Sequence, residues 1–315
     1  MDYDWSIYDR DWHGYEPPKM GELLIKELHL YGDPVALAWW PEGSMPDKLA
    51  NHIYKGPLKL LHCQFMQRAR FRGETYILDG AKSRPPPPVC NGDAYQGLAS
   101  VFPSLMPGVT NSRSPQGVES KLSIYGSPVA SRRDLREAYS IIPPDIKHLG
   151  IAPLSECPFD PDVVVLIGNA RQLTMAARAL MYFSGKAING LTGPGTCSSS
   201  WAAAYLKGEP RFTLGCHGVF GSMGLDSNEL TLSIPAEMMP TLCQNLELWR
   251  DRGKRMFEED LPNELREFVK IPSDASFIKG DDKKLDYVEY GRLGSAYVSW
   301  AERRRNKGLP VPEKV

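Results

Sequence analysis

Four cysteines carry the chemistry this sequence suggests. They are Cys63 (His62-Cys63-Gln64), Cys90 (Val89-Cys90-Asn91-Gly92), Cys197 (Thr196-Cys197-Ser198) and Cys216 (Gly215-Cys216-His217-Gly218). Each stands beside an expected helix start or in a glycine-bearing loop, unlike a thiol in the middle of an apolar stripe. A helix N-terminus offers free N–H groups and partial positive charge, which lowers a thiol's pKa and favours the thiolate. Thiolates ligate soft metals and iron–sulfur clusters. No CxxC pair occurs, so the close ligand pairs of the usual metal signatures are missing. Cys157 and Cys243 lack the glycine-loop setting and are expected to pack, Cys243 within an amphipathic helix.

Two other chemistries compete with ligation. Cys197 at a helix start, with His217 or His62 as base, has the residue types of a thiol nucleophile. A ligand-binding or assembly module whose cysteines merely pack needs no reactive group at all. The glycine runs 190–195 and 215–224 would let backbone approach a flat cofactor, a tetrapyrrole or a cluster, although glycine serves turns equally well. Leu166–Arg171 (LIGNAR) follows an apolar run and could offer a helix N-terminus to phosphate, but lacks dinucleotide or Walker spacing. Arg303–Arg305 reads as a solvated helix end, and Trp39-Trp40 as core.

Composition bounds these readings. The 315 residues include 37 Lys plus Arg and 38 Asp plus Glu, for a formal charge of −1, so no global field selects nucleic acid. At 42% hydrophobic and 24% charged the composition is globular. No apolar run approaches the roughly 18 residues that cross a bilayer. The acidic, aromatic start does not read as a secretory signal, so a cytoplasmic location with reduced thiols is expected.

The elements that must position the cysteines alternate in type. Helices are expected over 20–30, 58–71, 134–139, 169–185, 197–206, 236–251 and 285–305, and strands over 34–40, 74–78, 162–167, 211–214 and 229–234. Asp162–Ile167 (DVVVLI) is apolar enough to be buried on both faces, and the Pro85–Pro88 run is expected to deliver Cys90 as a stiff extended segment. The expected class is α/β (mixed α+β), helices packed on a mixed sheet, with two lobes as an option. Residues 1–19 read as an aromatic, acidic arm, suggesting a homo-oligomer; 20–251 as the main domain, with loop-rich 103–130 as the candidate boundary between halves; and 252–315 as a helical extension.

Over most of Leu23–Trp249 the sequence resembles the prokaryotic domain of unknown function 169 family. The matching elements include Pro34-Val35-Ala36, Ala69-Arg70, Gly73-Glu74-Thr75, Pro161–Ile167, Gly185, the Gly208 turn, Glu229-Leu230 and Ile234-Pro235, besides the four cysteine settings. The resemblance implies cysteines at the positions of Cys63, Cys90, Cys197 and Cys216, and hence a cysteine-ligated cofactor, a four-iron (4Fe-4S) cluster above all. It implies no activity. Where family members often carry a basic residue after the glycine that follows the fourth cysteine, this chain has Val219-Phe220. The expected role is redox or Lewis-acid chemistry on a small molecule, with a small-molecule substrate or a redox partner protein, and neither nucleic acid nor membrane.

Overall fold

The computed structural model describes residues 15–56, 60–80, 129–130, 133, 140, 142, 146–182, 184–192, 195–216, 219–220, 225–252, 300–309 and 311. Cys90, His217, Pro85–Pro88, the arm before Tyr15, the helix expected over 134–139 and nearly all of 103–130 lie outside the described residues.

The first helix, α1 (Pro17–Leu28), begins on the proline pair at its first turn, where fixed φ suits a helix and the missing N–H would be an orphan anyway. It ends on His29, which takes a left-handed conformation (φ 51°). Strand β1 (Val35–Pro41) follows, then α2 (His62–Arg72), stopped by Gly73 at positive φ, and β2 (Tyr76–Asp79). Next come β3 (Ile146–Pro153), β4 (Val163–Asn169), α3 (Ala170–Met181) and the two-residue β5 (Asn189–Gly190). A π-helical stretch, Cys197–Ala202, runs directly into α4 (Ala203–Lys207). After it come β6 (Arg211–Thr213), β7 (Glu229–Pro235) and α5 (Met239–Arg252), and a last helix, α6, covers 300–306.

The strands form one seven-stranded sheet in the order β2-β3-β1-β4-β7-β6-β5, antiparallel except for the parallel β5–β6 pair. The class is therefore α/β with a mixed sheet. Strands on either side of 103–130 interleave in it, for β1 lies between β3 and β4.

Alternation along the strands sorts the core onto two faces. Val35, Leu37, Trp39, Val163, Val165 and Ile167 belong to one apolar cluster, together with α2 and the 197–204 segment. Ala36, Ala38, Val164, Leu166, Leu232 and Ile234 belong to the other, with α1, α3 and α5. Helices thus cover both faces, which is why β4 is apolar without interruption: Val163 to Leu166 are each 0% exposed. Among the described residues no helix is long and apolar enough to cross a membrane.

Sequence periodicity misses the two-residue β5 and also β3, IKHLGIAP, whose lysine, histidine, glycine and proline break the apolar pattern. Its glycine is required by packing, since a Cβ at Gly150 would sit 2.7 Å from the Trp40 ring and 2.9 Å from that of Phe159. Those two rings meet edge to face, with centroids 5.3 Å apart. Gly150→Ala is expected to destabilise the fold by about 1–3 kcal/mol through overpacking, read as a lower urea midpoint at unchanged slope.

Candidate cysteine site

The structure separates the described cysteines by sheet face. Cys63, the second residue of α2, and Cys197, the first of the π-helix, are buried in the first cluster, and half-buried Cys216 packs against that cluster from the loop after β6. Cys157 and Cys243 belong to the opposite face. Burial pushes the Cys157 thiol up to about 12, and its Sγ–H donates to the Phe159 carbonyl at 3.0 Å. Burial likewise pushes the Cys243 thiol far above its ordinary value. None of the five described cysteines is in a disulfide. Iodoacetamide at pH 8 is expected to modify Cys216 first and to leave Cys157 and Cys243 untouched in the folded protein, as peptide mass spectrometry will read.

A wide helical turn brings Cys197 to this face. The π-helix is a rare winding, frequent at functional sites. Here it carries Ser198, Ser199 and Ser200, all 0% exposed. These are not solvated cap residues: Ser200 Oγ lies 2.6 Å from Ser233 Oγ on β7, Ser199 Oγ donates to the Gly195 carbonyl at 3.1 Å, and Ser198 Oγ to that of Ser140 at 2.7 Å. On β7 the residues facing the cysteine side are Glu229, Thr231 and Ser233, opposite Asn169, Ile167 and Val165 of β4. Thr213 of β6 is paired with Thr231 across the ladder.

Among the described residues three polar atoms here have no hydrogen-bond partner: Thr196 Oγ1, Thr231 Oγ1 and Trp201 Nε1. Their residues are at most 1% exposed. Thr196 stands at the N-cap of the π-helix, yet its hydroxyl does not cap it. Buried polar groups of this kind are usually paired in folded proteins, with protein, ordered water or a bound group.

One ion pair closes the deep end of this face. Arg70 of α2 and Glu229 of β7, 1% and 2% exposed, bind through both terminal guanidinium nitrogens, the Nη1 contact being 3.2 Å. Arg70 also donates to the Ile167 carbonyl at 3.4 Å, and Glu229 accepts the Asp226 N–H at 3.1 Å. Sequence reading did not single out this pair, because nothing local marks two residues 159 positions apart as partners.

Other sequence candidates resolve differently. LIGNAR is a helix start, but Asn169 accepts the Gln172 N–H at 2.9 Å while Gln172 Oε1 accepts the Asn169 N–H at 2.8 Å. That reciprocal cap satisfies two of the N–H donors a phosphate would use there. Asn169→Ala is expected to cost about 1 kcal/mol and to lower Tm by about 2–4 °C. The Arg303–Arg305 run is not a solvated end: Arg304 is 1% exposed and bonds both oxygens of Glu22 at 2.8 and 2.5 Å. His62 is buried beside Cys63, and Cys90 and His217 are outside the described residues, so neither a fourth ligand nor a Cys197–His217 pair has a described geometry. Among the described residues no three His, Cys, Asp or Glu side chains converge as a single-ion site.

Residues 23–245 match the family model of domain of unknown function 169, described as uncharacterised ArCR. The chain belongs to this family. Another protein similar to it is the uncharacterized protein MJ0308 of Methanocaldococcus jannaschii, 25% identical over 191 residues, which cover 60% of this chain and 77% of that one. No solved structure matches. The region matched by the domain of unknown function 169 contains all three cysteines of the first face, the π-helix and the Arg70–Glu229 pair.

Proposed function

We propose that the sheet face bearing Cys63, Cys197 and Cys216 holds a cysteine-ligated cofactor, with Cys90 as fourth ligand, and that the cofactor is a four-iron cluster. The observation that carries this reading is the sorting of the cysteines. Thiols from a helix start, a π-helix and a glycine loop share one face, whereas the two in ordinary packing positions lie behind the sheet. A single metal ion would need its ligands gathered round one point, which the described side chains do not provide. A four-iron cluster engages each thiolate through a different iron, so its ligands stand apart round a larger body.

The chemistry of the surroundings fits such a group. The sulfurs are soft donors, and the open hydroxyls of Thr196 and Thr231 and the Trp201 N–H are hydrogen-bond donors on the same face. Donors of this kind stabilise sulfur-borne negative charge and raise reduction potential. When bound, the group would supply electron transfer or Lewis-acid activation of a small molecule, with a redox partner protein where electrons must be delivered. A cytoplasmic, reducing location keeps the four thiols available.

The test is anaerobic purification followed by reconstitution with iron and sulfide. Near-stoichiometric iron and acid-labile sulfide with a broad visible absorption band are expected, and Cys90→Ala or Cys197→Ala should remove both. A folded protein that stays colourless and free of metal after reconstitution would overturn the reading in favour of a thiol nucleophile or a plain binding module.

A further inference from the structure

Beyond the cysteine face, the helix at 300–306 has an unusual set of anchors. Trp300 is 0% exposed, and its indole N–H donates to Asp33 Oδ2 at 2.7 Å. Arg303 donates to the same oxygen at 2.8 Å and also bonds Glu156. Arg304 grips Glu22 on α1, and Lys307 Nζ lies 2.5 Å from Glu156 Oε2. Trp300 and Ala301 form a small separate core with Ile25 and Phe71, and Val311 packs on it. Three cations and one indole of the tail thus meet three carboxylates of the main body. The tail lies outside the family match at 23–245.

The docking point leads inward. Asp33, 2% exposed, donates its backbone N–H to the Arg70 carbonyl at 3.1 Å. At the adjacent Gly32 a Cβ would lie 2.6 Å from Arg70 Cγ, so the Gly32-Asp33 backbone and the Arg70 side chain are in van der Waals contact. Arg70 holds Glu229 at the start of β7, and β7 holds the Cys197 helix through Ser233 and Ser200. Every link in this series is a buried contact.

We propose that residues 300–309 are a strap that fixes Arg70 from behind and so keeps the Cys197 helix seated on β7. With the strap docked, Cys197 stays buried; with it released, Arg70 and β7 loosen and Cys197 becomes accessible. The strap acts by positioning, through contacts rather than through any reacting atom. It does not depend on a cofactor being bound, and its test needs none.

The experiment is hydrogen exchange by mass spectrometry on the full chain and on Trp300→Ala, together with iodoacetamide labelling of Cys197. In the variant, exchange over 300–309 should rise about tenfold or more, and exchange over 69–73 and 197–207 about threefold or more, with unchanged far-UV circular dichroism. Cys197 labelling should quicken in step. Loosening confined to 300–309, or none there, would overturn the proposal. Should Trp300→Ala fail to fold, Glu156→Gln decides: it removes two pairs at the more exposed rim of the contact and should give the same pattern at about two- to fivefold. The absence of any rise over 197–207 in that variant, with 300–309 loosened, would count equally against the strap.

Discussion

Replacing Glu229 by alanine is expected to destabilise the folded chain by about 3–5 kcal/mol, because it strands the buried Arg70 guanidinium without its counter-charge. Arg70 and Glu229 are 1% and 2% exposed, so neither charge can turn to solvent when its partner is lost. Among the described residues the acceptor that remains for Arg70 is the Ile167 carbonyl at 3.4 Å, too weak to compensate a full charge. Urea denaturation will read the loss. The complementary double variant, Arg70→Met with Glu229→Leu, should recover most of it, since well-packed apolar side chains often replace a buried ion pair at little or no loss of stability. If the double variant recovers stability yet Cys197 labels faster, the pair serves to hold geometry on the cysteine face more than to stabilise the fold.

The second large effect is expected at Phe65. Its ring is 0% exposed and packs edge to face with Tyr54 and Tyr76, at centroid distances of 4.9 and 4.8 Å. Phe65→Ala removes the centre of this aromatic trio and opens a cavity under α2, for a loss of about 3–5 kcal/mol. Phe65→Leu keeps most of the apolar volume and should lose less than half as much by thermal and urea unfolding. Because Phe65 is two residues from Cys63 on the same short helix, the alanine variant should also speed Cys63 labelling well below the global unfolding midpoint. Equal losses for the two variants would show that the site collapses and that the aromatic geometry contributes little.

Much of the architecture can be read from the residues alone, and the places where it cannot are physical. VVVLI in β4 declares a strand buried on both faces, and Asn169 with Gln172 declares the helix that follows. The division of the cysteines is legible too: Cys243 lies in an apolar helical stripe, and it falls on the opposite face from the three glycine- or cap-associated thiols. By contrast, β3 hides behind a glycine that exists to admit two rings. Nothing local shows that Ser198–Ser200 are the buried seat of the Cys197 helix, and the long-range partner of Ser200, Ser233, is what reveals it. Gly32-Asp33-Pro34 reads as a simple turn, yet Asp33 receives a tryptophan and an arginine from some 270 residues away. Local pattern reports burial well, but it cannot report which distant polar group will arrive to satisfy a buried one.

The position of β1 in the sheet bears on how the chain is made. Val35 pairs with Pro153 on one side and Val165 on the other, so the strand VALAWW emerges from the ribosome roughly a hundred residues before either neighbour exists. During that interval its two bare edges and its tryptophans have nothing of their own chain to pair with. A nascent chain of this kind favours chaperone capture and slow synthesis over rapid expression, and its yield of native protein should fall steeply as translation is accelerated or temperature raised.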